Sequence, residues 1–291
     1  MNVVFAITCH RLTAPLLHTV EYLSSFERNT ILIHIDKKVD IKSFLILEKS
    51  NVFLIPNRIE VAWGSASQIE SMLELMRFSL RFQYDFFFLL SGDDIPLKTN
   101  SELRGFLSTF FDYNFIAFDK KMTYERVEDR VKYSHPSALF QRDTKLSTRI
   151  LRKYFRLTKD VFFKNKSFEQ NKYRLPRLYK GTNWLGLKID AIKYILDYVE
   201  YNDWFLKLFD ASLCADEVFF HTIIKTNPKI KLFDHPNYPI PSLRYIDWSG
   251  PVAPKVLGEG DVPKMKGSNC FFARKIDANA SPEFMKSFLK D

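Results

Sequence analysis

Phe86-Phe87-Phe88-Leu89-Leu90-Ser91 runs straight into Gly92-Asp93-Asp94-Ile95-Pro96-Leu97. Five apolar residues in a row, with no polar alternation, read as a strand buried on both faces. Such strands belong to parallel sheets covered by helices on each side. The strand ends in acid, at the edge where open α/β sheets bind their ligands. Gly and Asp also favour tight turns, but a turn needs only one Asp. Ser91, Asp93 and Asp94 are therefore read as part of a site.

The neighbouring sequence repeats the theme. Val3–Thr8, Ile31–Asp36, Val52–Pro56 and Phe115–Asp119 are further short apolar runs, and the amphipathic stretches Ala14–Phe26 and Ser67–Arg81 separate them. This βαβα order predicts an α/β domain with a mostly parallel central sheet flanked by helices. Further along, a strand is expected near Trp184–Leu187 and helices over Asp190–Phe209 and Asp216–Ile224. A strand at Leu243–Trp248 completes the set. The tail from Ser249, rich in Pro, Gly and Lys, is expected to wrap a site. No repeat or Pro/Gly/Ser linker divides the 291 residues, so one domain is expected.

Phe is abundant at 28 residues and Gly scarce at 9. There is no G-x-G-x-x-G, no G-K-[ST], no G-x-S-x-G and no pair of His at H-x-x-x-H spacing. Dinucleotide, P-loop, serine-hydrolase and zinc-protease chemistries lose their main support. No apolar run approaches the ~18 residues of a membrane span. The first residues read as a strand rather than a signal peptide, and Cys9, Cys214 and Cys270 are read as reduced thiols. A cytoplasmic protein is expected.

Charge is uneven. Residues 120–180 hold 18 Lys and Arg against 6 Asp and Glu, a net +12 that leaves −3 for the rest of the chain. This segment shows no clean periodicity and is expected to be a loop-rich insertion. Its charge suits an anionic partner surface or simply a solvated face. A nucleic-acid partner is not expected, because no recognition motif accompanies the charge.

Several other clusters carry candidate chemistry. Asp36 ends a strand where a carboxylate can take hydrogen bonds from a ribose or a base. Asp216-Glu217 opens an apolar helix: a helix-start acid is usually a cap or dipole partner, while a semi-buried Glu can serve as a general base. Arg244-Tyr245-Ile246-Asp247-Trp248 mixes aromatic faces with hydrogen-bonding groups, which suits a sugar ring. Arg274-Lys275 is either surface charge or a diphosphate clamp.

Seven short segments, in order, resemble the core-2/I-branching β-1,6-N-acetylglucosaminyltransferase family, which includes the peptide O-xylosyltransferases. They are Ile33–Lys38, Val61–Gly64, Leu90–Leu97, Lys180–Trp184, Asp216–Phe220, Arg244–Trp248 and Phe272–Lys275. The resemblance implies a GT-A-type fold and an inverting transfer from a UDP-sugar, foremost UDP-GlcNAc, with UDP-xylose or UDP-galactose as alternatives. It makes Glu217 the catalytic base and Asp36 the residue that holds uridine. Lys275 becomes a cation on the diphosphate, with Arg274 or Lys255 as a second. Trp63 joins the donor side, while Trp184, Arg244, Tyr245 and Trp248 fall on the acceptor side.

Asp93-Asp94 lacks the spacer of a D-x-D metal motif, so no divalent metal or other cofactor is expected. The domain would divide into a nucleotide-sugar half (1–119), the basic insertion (120–180) and a catalytic and acceptor half (181–291). Animal members carry a membrane anchor and disulfides. This sequence shows neither, which suggests a compact bacterial form acting on a surface polysaccharide or lipid-linked saccharide, with peripheral contact to an anionic membrane. The reading from a different class is a non-catalytic module that binds anionic lipid or nucleic acid.

Overall fold

A computed structural model describes residues 1–140, 145–249 and 254–289. The central sheet has six strands in the order β3-β2-β1-β4-β7-β6. Its parallel part is β1 (Val3–Cys9), β2 (Asn29–Ile35), β3 (Val52–Leu54) and β4 (Phe86–Ser91). β5 (Ile95–Pro96) leaves the sheet, β6 (Phe115–Phe118) returns to it, and β7 (Gly181–Lys188) runs antiparallel between β4 and β6. β8 (Arg244–Ile246) and β9 (Phe272–Arg274) join β5 in a small second sheet.

The unalternating apolar runs have a simple cause. Along β1, Val4 and Ala6 face one core while Val3, Phe5, Ile7 and Cys9 face the other, and β4 splits its aromatic and aliphatic residues in the same way. Side chains alternate between faces, so a sheet covered on both sides needs apolar residues at every position. The helix Ser67–Ser79 covers one face through Ile69, Met72, Leu73 and Met76. The helix Ala14–Ser24 covers the other through Leu16, Val20 and Leu23. Much of the Phe content gathers on that second face, where Phe5, Phe86, Phe88, Phe115 and Phe272 pack ring against ring. Both cores share one sheet, which makes a single domain.

β1 lies between β2 and β4, so the chain departs in opposite directions from the middle of the parallel strands. That reversal opens a crevice at their carboxyl ends. β7 opposes β4 with Gly186 beside Phe88, which carries Asn183 and Trp184 to the same end.

Two expectations are corrected. Residues 120–180 are not loop-rich, because the helices Tyr124–Lys132, Leu146–Phe162 and Lys166–Asn171 occupy much of the segment. The expected helix over Asp190–Phe209 is two, Ile189–Tyr201 and Asp203–Lys207, parted at Asn202, whose ψ of 58° is not helical. Residues 141–144 of the insertion and 250–253 of the tail lie outside the described residues. No helix among the described residues is long and apolar enough to cross a membrane.

Among the described glycines, Gly181 allows the closest approach. A Cβ there would sit 1.9 Å from the Ala117 carbonyl oxygen and 2.3 Å from His221 Nε2. Backbone, not a flexible tip, is in the way. Gly181→Ala should therefore cost about 1–3 kcal/mol through forced displacement of β6. Urea denaturation measures it, and an unchanged midpoint would show that the strands part freely.

Candidate active site

A cleft of about 740 Å³ opens at the carboxyl ends of β1, β2 and β4. Asp36 lies at one end. The strand-end turn points its carboxylate at backbone donors: Lys38 N at 3.0 Å and Val61 N at 3.4 Å, with Lys38 Nζ at 3.5 Å. Trp63 and Trp248 are half-exposed in the cleft wall.

The floor is the Ser91–Asp94 turn. Asp94 is fully buried, accepting from Ser91 N at 2.7 Å and from Ser91 Oγ at 2.9 Å. Arg244 also bonds it, and Arg274 approaches to 3.8 Å. Arg244 Nη2 donates to the Leu89 carbonyl at 2.7 Å, and its guanidinium lies between the rings of Trp184 (4.8 Å) and Phe272 (5.1 Å). Burial pulls the Arg244 pKa down to about 10, against the opposing pull of Asp94. The residue stays cationic at neutral pH. Thr13, the N-cap of the first helix, and Thr19 within it donate to the Gly92 and Asp94 carbonyls at 2.6 and 2.7 Å, so the turn is fixed from below.

Arg244 and Asp94 therefore differ from expectation. Neither lines the cleft, and each is spent on the other beneath it. Asp93 does reach the cleft, held by Arg11 and Lys275 at 3.4 Å each. Arg274 lines the wall with its guanidinium 4.1 Å from the Trp184 ring. Lys255 turns instead to Asp261 at 2.5 Å, and Tyr245, on β8, packs against the apolar cluster behind the small sheet, so neither lines the cleft. Of the tail, Pro254 and Arg274 reach the cleft, while most of its apolar residues gather in a separate cluster.

The far wall holds Asp216 and Glu217, on the first turn of the helix Asp216–Thr226. The cap role open to them is not taken, since Ala215 is the N-cap and makes no side-chain cap bond. Asn183 instead donates to Asp216 Oδ2 at 2.8 Å. Glu217 Oε2 meets both Arg130 and Lys180 at 3.1 Å. Arg130, Lys180, Asn183 and Arg11 are site residues that the motif reading did not assign. Lys180 and Asn183 stand inside a quoted segment and were within reach. Arg130 is one cation among eighteen, and only its place in space distinguishes it. Among the described residues, no three His, Cys, Asp or Glu side chains gather as a metal site.

A parallel-to-mixed sheet with a charged, tryptophan-walled cleft at its switch point defines an α/β ligand-binding domain consistent with the GT-A type. The family model for the Core-2/I-branching enzyme matches residues 3–286, and the chain belongs to that family. It is 24% identical to xylosyltransferase 1 of Homo sapiens over 279 residues, 87% of this chain and 26% of that protein. Xylosyltransferase oxt of Drosophila melanogaster is likewise 24% identical, over 84% of this chain and 28% of its own length. A stretch of 97 residues is 37% identical to human xylosyltransferase 2. The chain thus spans roughly a quarter of the length of the relatives it matches at full extent.

Desolvation, aided by the charge of Glu217, lifts the Asp216 carboxyl to about 7, against the amide of Asn183. The folded protein then keeps a proton that the unfolded chain releases near pH 4. Its contribution to stability falls as pH rises from about 4 to about 7 and levels off above. Asp216→Asn lacks that titration. Melting both proteins across this range should show the variant gaining on wild type as pH rises. A constant difference would mean that Asp216 ionises as in water.

Proposed function

We propose that this protein is an inverting glycosyltransferase that moves a sugar from a UDP-sugar to a hydroxyl of a carbohydrate acceptor. One observation carries the reading. Asp36, Trp63, Asp93, Trp184, Glu217, Trp248 and Arg274 share one cleft in a chain that the family model covers almost end to end. Asp36 and its backbone donors suit the uridine end, and the tryptophan faces suit sugar rings. Glu217 takes the acceptor proton as that oxygen attacks the anomeric carbon from the side opposite UDP. The carbon–oxygen bond to the diphosphate breaks, and the charge it leaves is met by Arg274 and Lys275.

Both cations on Glu217 fall on Oε2. They orient the carboxylate, and Oε1 is the oxygen offered to the acceptor. UDP-GlcNAc is the proposed donor. The relatives named for xylosyl transfer favour UDP-xylose as a second reading, and release of UDP from a panel of donors separates the two.

Glu217→Gln keeps the shape and removes the basicity. Turnover should fall by roughly 10²–10⁴ while UDP still raises the melting temperature. Near-normal turnover would remove Glu217 from the reaction.

Transfer is also proposed to need no metal. Asp93 and Asp94, two carboxylates, face four cations in Arg11, Lys275, Arg244 and Arg274, and the positive excess is what would meet the diphosphate. Activity should survive exhaustive chelation and fall in Lys275→Ala. Loss with EDTA that Mn²⁺ restores would defeat this mechanism.

A further inference from the structure

Five apolar side chains along the helix Leu146–Phe162 face outward. Leu146, Ile150, Tyr154, Leu157 and Val161 recur at helical spacing and so form one row. Each is exposed by half or more, from 50% at Tyr154 to 74% at Leu157. The other side of the helix does the packing: Thr148 is buried, and Phe155 meets His135 and Phe163 with centroids 4.9 and 5.1 Å apart. Single exposed apolar residues are ordinary, but a continuous row marks a contact surface. Arg149, Lys153 and Arg156, all exposed, run along one edge of it. Asp160 is the one acid of that edge, and it takes the Tyr133 hydroxyl.

We propose that this helix docks the protein on an anionic phospholipid bilayer, lying flat in the headgroup region. The apolar row would enter the interface, and Arg149, Lys153 and Arg156 would meet lipid phosphates. An apolar stripe edged by cations is the pattern of helices that lie in a membrane surface rather than cross it. Charge complementarity selects lipid over a second copy of the chain, whose own row would bring the same cations. The helix is fastened to the helix Tyr124–Lys132 by Lys159 on Asp129 at 2.5 Å and by Tyr133 on Asp160. That second helix carries Arg130, the partner of Glu217. A lipid-linked acceptor would thus be close to the base; this last step rests on the proposed reaction, whereas the docking does not.

Cosedimentation of the whole chain with vesicles tests the docking. Phosphatidylcholine vesicles are compared with vesicles containing about 30% phosphatidylglycerol. Binding to the second should exceed binding to the first by about tenfold or more. Ile150→Ser combined with Leu157→Ser should weaken it by a similar factor, as should Arg149→Glu combined with Arg156→Glu. All four side chains are exposed, and unchanged melting temperatures check that the variants fold. Donor hydrolysis measured on the same variants separates a failure of docking from a failure of the proposed chemistry. The proposal is overturned if wild type binds neither vesicle, or if the apolar variant binds as wild type does. A concentration-dependent dimer that the apolar variant dissolves, with no vesicle binding, would overturn it in favour of a second copy.

Discussion

Arg244 and Asp94 form a buried ion pair on which the cleft depends. Arg244 comes from the small sheet and Asp94 from the turn after β4, 150 positions earlier in the chain. Both are almost fully out of water. Losing one partner of such a pair leaves a buried charge and typically costs about 3–5 kcal/mol. Asp94 in turn holds Ser91, and Arg244 holds the Leu89 carbonyl and the Trp184 face. One interaction thus ties together the turn that presents Asp93, the ring of Trp184 and the small sheet that carries Arg274. The pair fastens β8 to the end of β4.

Above that pair, opposite charges are kept in balance. Asp93 is shared by Arg11 and Lys275, Asp36 is met by Lys38, and Glu217 by Arg130 and Lys180. Asp216 is bonded by the neutral amide of Asn183, and burial together with the charge of Glu217 raises its pKa despite that bond. The diphosphate of the proposed donor would compete with Asp93 for cations that are already in place. In the proposed reaction, little reorganisation would then be needed as charge develops on the leaving group, which is how preorganised groups lower a barrier.

The parallel core was legible in the sequence because a strand covered on both faces has no polar positions to hide it. Phe86–Ser91 matches its predicted span residue for residue, and Val3–Thr8 differs by one. The direction of β7 was not legible. Gly-Thr-Asn-Trp-Leu-Gly-Leu-Lys is apolar enough for a strand, but nothing local distinguishes a parallel partner from an antiparallel one. Arg244 misled for a related reason. An Arg beside Tyr and Trp looks like a binding edge, whereas its burial depends on Asp94 far away in the chain. The helix Leu146–Phe162 escaped because apolar residues lie on both its packed and its outer sides, which blurs the period a one-sided helix would show.

The same basic segment therefore has two faces with different tasks. Its inner side supplies Arg130 and Lys180 to one oxygen of Glu217, so its charge is partly spent inside the protein. Its outer side keeps Arg149, Lys153 and Arg156 in water beside an apolar row. A solvated face would need only the charge, and a core helix would bury both apolar sides. Neither explanation accounts for cations and exposed apolar residues in register on one helix. The parallel strands are tied to the small sheet by the buried pair, while the insertion sets what meets Glu217 from the other side. If the proposed reaction holds, that division would let the acceptor change through residues 120–180 without disturbing the Asp36 end of the cleft.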